Sequence, residues 1–366
     1  MFSRTMNTPH LDINGRRVGP GEPTYIIAEM SANHDQDIEK AFRIVEAAAE
    51  AGADAVKIQT YTPDTMTIQS DKSFFRIEGT LWEGRTLYDL YGEAYTPWEW
   101  HGPLQDKARE LGLDFFSSPF DKSAVDLLDD LDVPVFKIAS FENVDLPLLR
   151  RVAETGKPVI MSTGMASLAE VDEAVCTLRQ SGCESLALLK CTSAYPAPPE
   201  EANLRTIPHL RDTFGVVAGL SDHTMDIAVP AAAVALGAHI VEKHFTLDRS
   251  DPGPDSSFSL EPSEFRAMVD AVRVVESALG NVSYELTPKQ QSSKVFRRSL
   301  FVVQDVAAGE PFTPDNVRAI RPGYGLHTRY LDEVYGSIAT CNIERGTPLS
   351  WSLMKGSEVH AEKTRA

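Results

Sequence analysis

Between Tyr25 and Gly280 the chain alternates two patterns: short, nearly continuous apolar runs, and longer segments in which apolar residues recur every three or four positions. The first pattern predicts strands buried on both faces and the second predicts amphipathic crossover helices, an order that builds a parallel sheet. The strand runs are YIIAEM (25–30), AVKIQTY (55–61), DFFSSPF (114–120), VFKIAS (135–140), PVIMSTG (158–164), LALLKCTS (186–193), VVAGLSD (216–222) and HIVEKHF (239–245). Eight such units are the number that closes a (β/α)8 barrel. In DIEKAFRIVEAAAEAGA, Ile38, Ala41, Phe42, Val45 and Ala49 share one helical face, and Gly52 stands where that helix should end.

Two interruptions shape the domain plan. The stretch from Thr62 to Tyr95 is far longer than an ordinary βα loop and mixes polar with aromatic residues, as expected of a lid or binding loop at a barrel mouth. After the helical pattern of 261–280 the periodicity stops. Residues 281–295 read as a polar linker, 296–354 as a small domain of short strands with Gly and Pro turns, and 355–366 as a frayed tail. The expected architecture is therefore an α/β chain with a catalytic barrel over 1–280 and a small C-terminal domain.

Composition narrows the function. With 35 basic and 53 acidic residues the net charge is −18, which opposes binding to nucleic acid or to an anionic membrane surface. An anionic substrate would need its own local concentration of Lys, Arg or metal charge. No apolar stretch has the length of a signal-peptide core or a membrane span, so a cytoplasmic protein is expected. The four cysteines lack C-x-x-C spacing, which argues against a structural zinc site or a disulfide framework.

In a barrel of this kind the active site is built at the C-terminal ends of the strands, and polar residues there are the first candidates. Lys57 and Gln59 lie two apart on one face of the second strand, Glu29 ends the first, Lys137 and Ser140 belong to the fourth, and Ser162 ends the fifth. A strand lysine more often points to solvent, but at a barrel mouth it also supplies anion-binding charge. His223 follows strand seven and His244 ends strand eight. Each alone reads as a hydrogen-bonded structural histidine; as a pair on neighbouring strand ends they form a candidate site for a divalent cation. Asp255, in a Gly/Pro-rich loop, is either a turn former or a ligand to metal or substrate. The Tyr195 ring either packs on Pro196 or offers its hydroxyl to anionic oxygens.

The segments IIAEMSANH, AVKIQTY, FFSSPFD, FKIASFE, MSTGMA, KCTSAYPAP, GLSDHT, VEKHFTLDRSDPGPDSSFSLEPSEF, FRRSLFVVQDVAAGE and IRPGYGL, in this order, resemble the sialic acid synthase family over nearly the whole chain. The resemblance is greatest to the branch that makes pseudaminic acid. It implies a (β/α)8 TIM barrel followed by an antifreeze-like (SAF) domain, and a domain-swapped homodimer in which Arg321 reaches the partner's sugar. It also implies condensation of phosphoenolpyruvate with an amino-sugar aldehyde, helped by a divalent metal on His223 and His244: Mn2+, with Mg2+ and Co2+ as alternatives. By the same resemblance Lys57, Lys137, Ser118, Ser140, Ser162 and Tyr195 hold phosphoenolpyruvate, and Glu29 lies near the reacting carbons. Gln59, Phe120 and Asp255 complete the site, Asp255 on the sugar side.

Ser193 in CTSAYPAP, where relatives that use N-acetylmannosamine carry Asn, implies 2,4-diacetamido-2,4,6-trideoxy-L-altrose as acceptor. The competing expectations are N-acetylneuraminate or legionaminate synthesis by the same reaction. In a different class, a metal-dependent barrel hydrolase would use the His pair to activate water and would need no phosphoenolpyruvate.

Overall fold

In the computed structural model, which describes residues 9–79 and 81–356, the first element among the described residues is a hairpin that strand-and-helix periodicity from Tyr25 onward passes over. Strands β1 (Leu11–Ile13) and β2 (Arg16–Val18) pair antiparallel around Asn14 and Gly15. Both turn residues have positive φ, 55° and 78°, a conformation that Asn-Gly adopts at low cost. Leu11, Ile13 and Val18 are buried in the same cluster as Tyr25, Ile27 and Ala55, at the starts of the first barrel strands. Polar contacts fasten the hairpin there: Asn14 donates to Asp114 at 2.9 Å, and Arg16 pairs with Asp54 at 2.6 Å.

The eight expected strands all form. They are β3 (Tyr25–Glu29), β4 (Ala55–Thr60), β5 (Asp114–Pro119), β6 (Phe136–Ile138), β7 (Val159–Ser162), β8 (Leu186–Cys191), β9 (Val217–Asp222) and β10 (Ile240–His244). They close in sequence order, with β10 parallel to β3 in the register Ile240↔Tyr25 to His244↔Glu29. Alternation along each strand divides its side chains between the barrel interior and the helices. On β3 and β4, Ile26, Ala28, Val56 and Ile58 join Ala41, Ile44 and Val45 of the helix Ile38–Glu50 in one outer cluster, while Ile27 and Ala55 belong to another. The 62–95 insertion carries two short helices, Pro63–Met66 and Leu87–Ala94, and a bridge between Arg76 and Thr86.

A second compact unit starts at Asn281. Part of the stretch expected to be linker is ordered: Thr287 caps a short helix, Pro288–Ser292, through a reciprocal bond with Gln290, with Pro288 at the first helical position. The unit contains the antiparallel pairs β11 (Ser299–Val302) with β12 (Val317–Ile320), and β13 (Ile338–Ala339) with β14 (Met354–Lys355). Its own core includes Leu300, Val302, Phe312, Val317 and Val334. Lys355, expected in the tail, pairs with Ile338; residues 357–366 of that tail lie outside the described residues.

Candidate active site

Strand alternation turns Lys57 and Gln59 of β4 to the interior, together with Glu29 at the end of β3 and Glu242 and His244 of β10. Lys57 is buried with its ammonium 2.6 Å from Glu29 Oε2, 3.7 Å from Glu242 Oε1 and 3.3 Å from the Ser118 hydroxyl. Lys137, also buried, donates to Ser162 at 2.8 Å and lies 3.5 Å from the same Glu242 oxygen. Two ammonium groups thus converge on one carboxylate in a water-poor interior, an arrangement that costs several kcal/mol per ion unless each charge is compensated. Burial pulls the Lys137 pKa down, partly offset by Glu242, whereas for Lys57 the nearby Glu242 and Glu29 outweigh burial and raise it.

The carboxylates respond in opposite directions. Burial raises the Glu29 pKa against the pull of Lys57; at Glu242, Lys137 and Lys57 overcome burial and lower it. Two ammonium groups, Lys57 and Lys137, thus meet Glu29 and the shared Glu242 carboxylate within one buried cluster. Glu242 Oε2 is buried without a hydrogen-bond partner, so the cluster retains unused capacity. Hydroxyls extend it: Ser140 Oγ accepts from Gly164 N at 3.2 Å. A Cβ at residue 164 would fall 2.6 Å from that oxygen, so glycine is needed for the loop after β7 to approach Ser140.

The imidazoles of His223 and His244 lie with ring centroids 5.3 Å apart. His223 Nδ1 is 2.8 Å from the Thr192 carbonyl, so it carries the proton and donates there, which leaves Nε2 as an electron-pair donor. Burial disfavours charge on His223, but the Cys191 thiol and the Thr192 carbonyl outweigh it and raise its pKa. The His244 pKa lies well below the usual value through burial and the adjacent cationic groups, and its Nδ1 is buried with no hydrogen-bond partner. Two histidines with free nitrogens, one of them orphaned in the interior, fit a first-row divalent cation. Among the described residues no group of three or more His, Cys, Asp or Glu is placed to hold a metal, so this pair would leave coordination positions open.

Tyr195 covers the histidines, its ring 4.4 Å from His223 and 6.3 Å from His244. Trp82, from the insertion, lies 6.2 Å from Tyr195 and donates its indole N–H to the Pro254 carbonyl at 3.1 Å. The insertion therefore reaches across the barrel mouth to the loop after β10. Asp255 in that loop accepts a short hydrogen bond from Ser31, which itself accepts from Gln59 at 2.9 Å. Burial raises the Asp255 pKa.

The NeuB family model matches residues 44–284, and the SAF domain model matches 297–354. The chain belongs to the NeuB family. It is 45% identical over 330 residues to a pseudaminic acid synthase of Helicobacter pylori, covering 90% of this chain and 97% of that protein. An N,N'-diacetyllegionaminic acid synthase of Campylobacter jejuni is 37% identical, covering 87% and 96%. The crystal structure of the spore coat polysaccharide biosynthesis protein SpsE from Bacillus subtilis superposes with a TM-score of 0.65 at 36% identity, covering 95% of this chain and 100% of that one.

Within this NeuB barrel, Glu29, Lys57, Ser118, Lys137 and Ser162 share the polar cluster, and Gln59 donates to Glu29 at 3.1 Å and reaches Asp255 through Ser31. Tyr195, His223 and His244 form a cluster of rings, and Ser140 touches the loop after β7 through Gly164. The Phe120 ring packs edge-on against Tyr61, with centroids 5.2 Å apart. Arg321 is exposed in the second unit, just after β12. Two residues escape motif reading. Glu242 shares the inward face of β10 with His244, so the period-2 signal was there. Glu142 sits in a turn beyond β6, where burial pushes its carboxyl up to about 7, and no strand pattern points to it.

Proposed function

We propose that the chain is a pseudaminic acid synthase, joining phosphoenolpyruvate to 2,4-diacetamido-2,4,6-trideoxy-L-altrose with water to release pseudaminic acid and phosphate. The observation that carries this reading is the pair of buried ammonium groups, Lys57 and Lys137, focused on one carboxylate beside two imidazoles in a chain of net charge −18. Such a cradle has little use except for a small, highly anionic substrate reacting next to a polarising centre. Greater likeness to the pseudaminic than to the legionaminic synthase supports the acceptor, as does Ser193.

The chemistry assigns work to each group. Lys57, Lys137, Ser118 and Ser162 neutralise and orient phosphate and carboxylate, so that C3 of phosphoenolpyruvate faces the open-chain aldehyde. A carbon–carbon bond forms between C3 and the aldehyde carbon as C2 becomes electron-deficient. Water then bonds to C2, and the C2–O bond to phosphate breaks. Of the two protons of water, one ends on the new hydroxyl and one on the departing phosphate. Glu29, whose pKa burial raises, and Glu142, with a pKa of about 7, are suited to carry them. His223 and His244 would hold Mn2+, with Mg2+ or Co2+ as substitutes, and the bound cation would supply Lewis-acid polarisation of the aldehyde.

The enzyme would act as a homodimer whose Arg321 serves the partner's sugar site, in the cytoplasm. No helix among the described residues is long and apolar enough to cross a membrane. The test is phosphate release and product mass from phosphoenolpyruvate with three separate acceptors: the altrose sugar, 2,4-diacetamido-2,4,6-trideoxymannose and N-acetylmannosamine. Turnover with the altrose sugar alone is expected, and chelation or His244→Ala should abolish it. Turnover with another sugar would replace the acceptor, and none with any would return the hydrolase class to consideration.

A further inference from the structure

Immediately before each histidine stands a residue of opposite charge to the other's neighbour: Asp222 precedes His223, and Lys243 precedes His244. Asp222 and Lys243 are register partners on β9 and β10. Because Glu242 and His244 point to the interior, alternation sends Lys243 to the helix-facing side, and there its ammonium makes a short ion pair with Asp222, both residues buried. Lys243 Nζ also donates to the Thr224 carbonyl and lies 3.4 Å from both Thr224 Oγ1 and the Asp226 carbonyl. Asp222 in turn accepts from Thr224 N at 3.0 Å and from Thr224 Oγ1 at 3.1 Å. His223 is thus held between two immobilised neighbours, while its ring is oriented by Thr192. Nothing in the condensation uses this pair, and a buried ion pair is a poor source of stability by itself.

We propose that the Lys243–Asp222 pair is a positioning element for the divalent-cation centre, locking β9 and β10 in register so that His223 and His244 present their free nitrogens to one point. The pair acts through the backbone on the opposite face of the strands from the ligands, the place of an outer-shell support in a metal site. Loss of such support lowers metal affinity by about 10- to 100-fold. This inference rests on the reading of His223 and His244 as metal ligands.

The experiment is Mn2+ titration of the full-length, metal-stripped protein, followed by electron paramagnetic resonance, alongside thermal unfolding. Wild type should bind and His244→Ala should not; if wild type fails to bind, the metal reading itself falls and this inference with it. Lys243→Met combined with Asp222→Leu replaces the pair by apolar volume, and Asp222→Asn retains an acceptor for Thr224 N–H should the double variant fail to fold. Whichever folds should bind Mn2+ at least about 10-fold more weakly. Asp54→Asn, which breaks the Arg16 pair by the hairpin, should lower the melting temperature with no change in Mn2+ affinity, separating positioning from general destabilisation. Mn2+ affinity within twofold of wild type in a folded Asp222 or Lys243 variant, while wild type binds normally, would overturn the proposal.

Discussion

At the scale of single residues, the site is a set of opposed pKa shifts created by desolvation and neighbouring charge. Glu142 makes this measurable. Its ordinary pKa of 4.5 is raised to about 7 in the folded chain, so the native state binds the proton more tightly than the unfolded chain does. By linkage, this penalty is absent below the unfolded value, grows as pH rises through the interval between the two values, and is complete above pH 7. Glu142→Gln should therefore nearly match wild-type stability at about pH 4 and exceed it by on the order of 3 kcal/mol at about pH 8. Urea denaturation at the two pH values checks this. Condensation by the same variant should slow, because the amide cannot move a proton.

At the scale of elements, the barrel separates stability from chemistry along its axis. The β1–β2 hairpin closes the N-terminal end, where Ile13 is fully buried beneath the strand starts, and the candidate site residues gather at the other end. Ile13→Ala should cost about 3 kcal/mol, the usual penalty for a cavity of that size. The Michaelis constant for phosphoenolpyruvate should stay unchanged in the folded fraction, and denaturation with parallel steady-state kinetics reads both. The hairpin was missed in the sequence, because Leu-Asp-Ile and Arg-Arg-Val on either side of Asn-Gly are strands of three residues, too short to register as a period-2 run. The eight barrel strands were legible because each is buried on both faces and so reads as an apolar run.

For the whole molecule, the proposed exchange of Arg321 between subunits has a consequence that neither unit shows alone. Arg321→Ala and His244→Ala should each be inactive as pure dimers. In a mixed dimer one site pairs an intact barrel with an intact partner arginine. Equal mixing after subunit exchange should restore roughly a quarter of wild-type activity, since half the dimers are mixed and each has one competent site. If Arg321 serves its own barrel, mixing restores nothing. The same logic predicts that a chain ending at Gly280, where the first compact unit stops, loses acceptor binding before it loses its barrel.

Sequence alone determined the strand count, the closure of a barrel, the boundary near Gly280, and the candidates among strand-end Lys, His and Ser residues, because all of these follow from local periodicity and from one rule about where barrel sites lie. It also carried the family, through motifs spread along the chain. Only the tertiary structure decided which of those side chains meet. Closing β10 against β3 and β9 brings Glu242 between Lys57 and Lys137 and sets Lys243 opposite Asp222. Burial then raises the pKa of Glu29 and Asp255, while the two lysines lower that of Glu242. Desolvation and Coulomb energy depend on distances through space between residues remote in the chain, and no local pattern encodes them.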